Sequence, residues 1–305
     1  MSRLKLGVVD QSPVRTGGTA ADALRETLEL ARIAERLGYS RYWLAEHHST
    51  NSFAGSSPAV LIPRVASVTR DIRVGSGGVM LSHYSPLQVA ENFRTLEALF
   101  PGRVDLGIGR APGGDARTAL ALQYGRGRID VDRFPQQVED LVGWLSDGFD
   151  DGHPWRRVRA MPRAQSVPEL WMLGSGGSSA FYAAELGCGF SFAQFISGQD
   201  GAGQVRHYRE RFRPSAWRAE PAASVGLGVI CAETQGQAQR LASSLELWRM
   251  RIMHGRDRGI DEADGRLAAL AASGIEYAVE QADPHQVARR FGKCGERRAR
   301  RDRRS

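Results

Sequence analysis

Strand and helix patterns alternate along this chain of 305 residues, and the alternation limits the fold more than any other feature. Short apolar runs of strand length precede segments of helix length, as when a run at 4–9 precedes a helix between Thr19 and Gly38. Seven strands can be placed in this way, at 4–9, 42–45, 72–75, 104–108, 170–173, 190–193 and 225–229. Because helical crossovers join parallel strands, the chain is predicted to form an α/β fold of the (β/α)8 TIM-barrel type.

Two regions depart from this alternation. The segment 113–127 is rich in glycine and arginine and predicts a loop. After the last predicted helix, at 235–250, no full eighth strand is evident, and the apolar run 275–279 is long enough to fill only part of the gap. We therefore expect a barrel domain over 1–291 that lacks or distorts its eighth strand and is incompletely closed.

The end of the chain carries most of its basic character. Formal net charge is +7, and the segment 292–305 holds seven Lys and Arg against two acidic residues. Clustered like charges predict that this segment is an exposed, disordered tail, while the rest of the chain is nearly balanced. We therefore expect no nucleic-acid binding.

Other compositional features point to a cytoplasmic protein. No segment has the length and hydrophobicity of a membrane span or of a signal peptide. The three cysteines are far apart, which fits reduced thiols better than a disulfide framework. We expect no membrane association, and the oligomeric state stays open, a homodimer included.

Polar and glycine-rich segments gather directly after the predicted strands. They are Asp10-Gln11, Glu46-His47-His48, Ser76-Gly77-Gly78, Gly109-Arg110 and Gly174-Ser175-Gly176. Barrel enzymes place their sites at the carboxyl ends of their strands. The sequence therefore predicts an active site on this rim.

The densest ionisable cluster is Glu46-His47-His48. Neighbouring side chains of an extended segment point to opposite faces, so Glu46 and His48 share a face that His47 does not. Because no third ligand is apparent nearby, we predict no metal site. One histidine is expected to be structural, while the other faces the site and exchanges protons near neutral pH.

The segment 174–179 joins a strand to a helix and predicts a phosphate site. Gly174 and Gly176 let the backbone approach a ligand, and the amide groups that begin a helix favour an anion. The hydroxyls of Ser178 and Ser179 add donors, although Ser179 stands where a full Gly-x-Gly-x-x-Gly pattern has glycine. A plain capped turn is the alternative. Arg110 is expected to pair with phosphate, or else to form a surface ion pair.

Several ordered motifs resemble the bacterial luciferase family of flavin-dependent monooxygenases. They are Gly38-Tyr39-Ser40-Arg41-Tyr42-Trp43-Leu44-Ala45-Glu46-His47-His48, Val74-Gly75-Ser76-Gly77-Gly78-Val79-Met80-Leu81 and the segment 101–110. The segment 10–14 is similar to a branch that includes tailoring enzymes of natural-product pathways. The resemblance covers roughly 5–229 and, more weakly, 283–290.

The resemblance implies a barrel that binds FMN, usually reduced and supplied by a separate flavin reductase. It assigns the catalytic role to His47 and the flavin-contacting turn, often a cis peptide, to Gly77–Gly78. It also assigns phosphate binding to Arg110 and to residues around Ser175, Gly176 and Ser179. Many relatives have a tyrosine or an acidic residue where this chain has Gly177 and Ser178.

The implied reaction is oxygenation of a small organic substrate. Reduced FMN reacts with O2 to form a flavin hydroperoxide, which transfers one oxygen atom, and His47 assists proton transfer. Two alternatives stay open: a deazaflavin-dependent dehydrogenase on the same barrel, and a non-catalytic flavin-binding protein. The sequence does not identify the substrate.

Overall fold

Eight strands form a closed ring in chain order, and helices surround it. The computed structural model describes residues 4–110, 114–123, 133–146, 148–197, 200–254, 257 and 260, with only the backbone of Met253 and of 276–280. The strands are β1 (Lys5–Asp10), β2 (Arg41–Leu44), β3 (Arg73–Met80), β4 (Val104–Gly109), β5 (Glu169–Gly174), β6 (Gly189–Ala193), β7 (Ala223–Gly228) and β8 (Glu276–Glu280). The helices are α1 (Ala20–Arg36), α2 (Pro58–Ala66), α3 (Pro86–Leu99), α4 (Ala116–Gln123), α5 (Phe134–Ser146), α6 (Gly177–Glu185), α7 (Gly201–Arg211) and α8 (Gln235–Met253).

The first seven strands are parallel, and each pairs with the next one along the chain. The predicted TIM-barrel type with a distorted eighth strand is confirmed, because β8 runs antiparallel to both of its neighbours. As expected, the seven parallel strands leave one seam open, between β7 and β1. β8 pairs with β1 from Lys5 to Val9 and with β7 from Gly226 to Gly228, and this short strand completes the ring.

The chain beyond α8 contacts the carboxyl-end rim. Asp257 accepts a hydrogen bond from the backbone amide of Asn51, and Ile260 exchanges backbone hydrogen bonds with the loop after β1. These contacts join the segment after α8 to the loops that follow β1 and β2. The predicted domain boundary at 291 and the predicted tail 292–305 lie outside the described residues.

Local signals fix most helix starts. Thr19 and Asp22 form a capping box at the start of α1, and Pro58 and Pro86 occupy the first turns of α2 and α3. Ser57 is the N-cap residue of α2, but its side chain makes no cap hydrogen bond. The predicted loop 113–127 contains α4, in which the Asp115 carboxylate accepts from the amide of Thr118 at 2.8 Å.

The barrel interior holds two large indoles. The rings of Trp43 and Trp171 meet edge to face with centroids 5.4 Å apart, and both side chains are buried. Glycines leave the space that these rings occupy: a Cβ on Gly189 would lie 2.5 Å from the Trp171 ring, and one on Gly77 would lie 2.9 Å from the Cβ of Trp43. These close approaches explain why small residues stand at strand positions that face inward.

A cluster of paired charges lies at the amino-terminal end of the barrel; we call it the lower charge cluster. Its members are Arg41, Arg73, Asp105, Glu169 and Arg218. The buried Asp105 carboxylate accepts from Arg41, from Nε of Arg73 at 2.8 Å and from Nε1 of Trp43 at 2.9 Å. Burial alone would raise the pKa of Asp105, but the two guanidinium groups and these hydrogen bonds hold it below its ordinary value.

Candidate active site

The residues that follow β2 and β3 meet at the carboxyl-end rim. The register of these strands aligns Leu44 with Ser76, and Glu46 after β2 accepts from the amide of Met80 at the end of β3. The backbone of the histidine segment is fixed, because the His47 amide donates to the carbonyl oxygen of Gly55 at 2.9 Å. The rim therefore presents this histidine from an ordered loop.

His47 is partly buried and incompletely paired. Its Nδ1 is buried and finds no hydrogen-bond partner among the described residues. Its ring packs against Phe53 with centroids 4.7 Å apart. Burial, with a smaller contribution from the charge of nearby His48, lowers the pKa of His47 from 6.5 to about 4. At neutral pH His47 is therefore uncharged and can accept a proton.

His48 lies on the other face and is held by a buried carboxylate. Its Nε2 donates to Glu46 at 2.7 Å. The same carboxylate accepts from the hydroxyl of Tyr84 at 2.7 Å and from the amide of Met80 at 3.1 Å. Glu46 thus ties the loop after β2 to the end of β3. The predicted division of faces is present, with His48 bound into the framework and His47 apart from it.

Gly77 and Gly78 lie within β3 at the rim and are joined by a cis peptide bond. This geometry was expected from the family resemblance. The pairing of β3 with β4 shifts its register between Gly77 and Val79. A Cβ on Gly78 would lie 2.9 Å from the carbonyl oxygen of Gly107, so the position has no room for a side chain. Glycine is required here for packing alone.

The two predicted phosphate elements are neighbours on the rim. The register of β4 and β5 aligns Ile108 with Met172, which brings Arg110 level with Gly174. Arg110 is exposed and forms no ion pair with the residues that the structure describes. The candidate phosphate contacts therefore lie at the ends of β4 and β5, next to His47 and Gly77–Gly78, which belong to the ends of β2 and β3.

At the start of α6, Gly176 has open space beside it, whereas Gly174 is closely packed. Gly176 is the N-cap and makes no side-chain cap hydrogen bond, and a Cβ there would meet nothing within 4 Å. A Cβ on Gly174 would collide with Oγ of Ser179 at 2.0 Å, so this serine packs directly on the glycine. Ser175 is partly buried and Ser178 is exposed. The helix begins with uncapped backbone amides at Gly176 and beyond.

A cleft of about 340 Å³ opens between the loops after β1 and β2; we call it the Arg15 cleft. Its wall includes Val14, Arg15, Gly17, Thr50, Asn51 and Phe53. Phe53 also contacts His47 and meets the ring of Trp248 edge to face at 5.4 Å. The cleft therefore borders the predicted catalytic histidine through one shared aromatic ring.

Several residues of the site could not be found from sequence. Phe53 and Tyr84 are isolated aromatic residues in polar loops. That isolation was the only local feature that could have marked them as site residues. Trp248 lies far away on α8, and its Nε1 donates to Ser52 at 2.8 Å, a contact without any local signal.

Among the residues that the structure describes, no group of three or more His, Cys, Asp or Glu could hold a metal ion. No described helix is long and apolar enough to cross a membrane.

A barrel with a histidine, a glycine turn and an uncapped helix start on one rim has the architecture of a barrel enzyme. The sequence pattern of the luciferase-like monooxygenase family matches residues 4–296. The chain belongs to this family and is an oxygenase.

Three curated bacterial relatives cover most of the chain. YwcH of Bacillus subtilis is 49% identical over 80% of this chain and 73% of its own length. A luciferase-like monooxygenase of Escherichia coli strain K12 is 39% identical over 92% and 82%. An N-acetyl-S-alkylcysteine monooxygenase of Bacillus subtilis is 40% identical over 83% and 75%.

Solved structures show the same fold. The crystal structure of apo-MsnO8 is 42% identical, with a TM-score of 0.79 over 88% of this chain and 78% of that one. The FMN-bound oxygenating constituent of 3,6-diketocamphane monooxygenase from Pseudomonas putida is 19% identical over 90% and 85%, with a TM-score of 0.60. An F420-dependent secondary alcohol dehydrogenase is 17% identical over 89% and 82%, with a TM-score of 0.59. The last two resemblances concern the fold alone.

Proposed function

We propose that this protein is a flavin-dependent monooxygenase that uses reduced FMN and O2 to oxygenate a small organic substrate. The observation that carries the proposal is the run of candidate contacts across four consecutive strand ends, from His47 after β2 to Gly174–Ser179 after β5. A flavin is an elongated ligand with a flat ring and a phosphate, and it needs contacts over such a length. A cytoplasmic location and a homodimer stay predictions.

The residues present fit FMN. The uncapped start of α6 offers backbone amides to a phosphate, and Arg110 on the adjacent strand end adds a guanidinium. The hydroxyls of Ser175, Ser178 and Ser179 lie on the same segment. At the other end, the backbone of Gly77 and Gly78 is free of side chains and would lie against the ring.

His47 is the proposed catalytic residue, and its role is that of a proton acceptor. Its lowered pKa keeps the ring neutral at pH 7, and its buried Nδ1 has no partner among the described residues. Such a group can take a proton from the reacting atoms and return it later. Bound reduced FMN would supply the electrons with which O2 is activated. A separate flavin reductase would supply FMN in its reduced form.

The experiment is product analysis with a generic flavin reductase, NADH, FMN and isotopically labelled O2. Small metabolites are incubated with the protein and compared with incubations that contain oxidised deazaflavin or no cofactor. We expect a product with one labelled oxygen atom only with FMN. Oxidised product without label, formed only with deazaflavin, would favour a dehydrogenase; stable flavin uptake without product would favour a flavin-binding protein.

A further inference from the structure

We propose that the Arg15 cleft binds a carboxylate of the substrate through Arg15, and that the substrate is therefore a small carboxylic acid with an apolar arm. This inference rests on the proposed function, because the cleft is assigned to the same site as His47. It goes further in naming a binding group and a substrate class.

The cleft is preformed by two loops that are hydrogen-bonded to each other. The amide of Val14 donates to the carbonyl oxygen of Ser52 at 2.8 Å, and that of Ala54 donates to Ser12 at 2.9 Å. Pro13 and Phe53 form an isolated antiparallel bridge between the same loops. Its volume of about 340 Å³ falls within the range of small-molecule sites. A ligand would therefore meet walls that are already in place.

Arg15 gives the cleft its charge. Among the described lining residues it is the one charged side chain. Glu26 of α1 pairs with its Nη2 and is not among the described lining residues. A guanidinium has five donors in a planar fork and can serve Glu26 and a ligand carboxylate together.

Asp257, beyond α8, is a nearby acidic group that is absent from the described lining. It accepts from the backbone amide of Asn51 at 2.5 Å and from the hydroxyl of Ser52. Its carboxylate is thus engaged by the loop after β2. Thr50, which also lines the cleft, offers a hydroxyl as a further hydrogen-bonding group.

The apolar part of the ligand is assigned to the side of the cleft that borders the reaction site. Phe53 lines the cleft, and its ring lies against His47 with centroids 4.7 Å apart. A ligand held by its carboxylate at Arg15 would place its apolar arm against Phe53. The arm, and not the acid group, would then be next to the proposed proton acceptor and would be the part that is oxygenated.

The test is calorimetric titration of the full chain, alone and with oxidised FMN. The probes are N-acetyl-L-methionine and 4-phenylbutanoate, each compared with its primary amide. In both conditions we expect the wild-type chain to bind the acids about tenfold more tightly than the amides, because a charge-assisted pair is lost in the amide. Absence of saturable binding, or equal affinity for acid and amide, would overturn the proposal.

Three variants locate the effect. Arg15→Gln should remove the preference for the acids, whereas Glu26→Gln should leave it unchanged or enlarge it, because a competing carboxylate is removed. Arg25→Gln, which alters an exposed arginine of α1, is the matched control and should change nothing. Equal losses in Arg15→Gln and Glu26→Gln would show a purely structural ion pair and overturn the proposal. No turnover is involved, so a failure of the oxygenase function would be detected separately.

Discussion

The two ends of the barrel differ in how completely their candidate functional and structural ionisable groups are paired. In the lower charge cluster, Asp105 and Glu169 are each paired with at least two arginines. At the rim, by contrast, His47 has a buried nitrogen without a partner among the described residues, and Arg110 is exposed. Both ends belong to the same strands. A fully paired cluster stabilises the fold, whereas incompletely paired groups on a fixed framework are suited to bind a ligand.

The largest expected effect is on stability at the lower end. Asp105→Ala leaves two arginines and an indole N–H without their acceptor, and loss of one partner from a buried ion pair costs about 3–5 kcal/mol. Urea unfolding should show this loss in the free energy of unfolding. The control is Asp151→Ala, which breaks an exposed pair with Arg156 and should cost about 1 kcal/mol or less. Similar losses for the two variants would show that the buried ion pairs of Asp105 stabilise the fold no more than an exposed pair does.

The second effect is on rate, at the rim. His47→Ala should slow oxygenation by roughly 10²-fold, as expected for a positioned proton acceptor, while flavin binding stays largely intact. His48→Ala should instead reduce stability, because the buried Glu46 loses a donor. Steady-state kinetics and thermal unfolding of both variants separate these outcomes. The reverse pattern would assign catalysis to the other face of the segment.

The rim was easier to predict than the lower end. His47, Arg110 and the glycine segments stand directly after strands, so alternation of strands and helices is enough to bring them together. The lower charge cluster depends on strand register, since Arg41 and Glu169 are distant in sequence and meet only across the barrel. The antiparallel direction of β8 and contacts such as Asp257 with Asn51 have no local sequence signal.

A smaller effect is expected on cofactor affinity. Arg110→Ala should weaken binding of FMN about tenfold, because a charge-assisted contact to the phosphate is lost, and should change riboflavin affinity little. Fluorescence titration of the two flavins measures this difference. Equal losses for FMN and riboflavin would place Arg110 near the ring or in the framework, and would remove it from the phosphate site.

A further effect concerns the pH dependence of stability. His47 has a pKa of about 4 in the folded protein against 6.5 ordinarily, so between these values the unfolded chain binds more protons. The contribution of neutral His47 to the free energy of unfolding is therefore fully present above pH 6.5 and is lost as the pH falls towards 4. His47→Gln should flatten the decline in unfolding free energy over this interval. An unchanged slope would show that His47 is protonated in the fold as readily as in water.

The most direct test of the account is stopped-flow mixing of O2 with the protein and reduced FMN. Wild-type protein should give a transient absorbance that differs from those of reduced and oxidised FMN, and His47→Gln should alter its decay. Oxidation that follows the same course as free reduced FMN, with no transient, would contradict an oxygenase site on this rim.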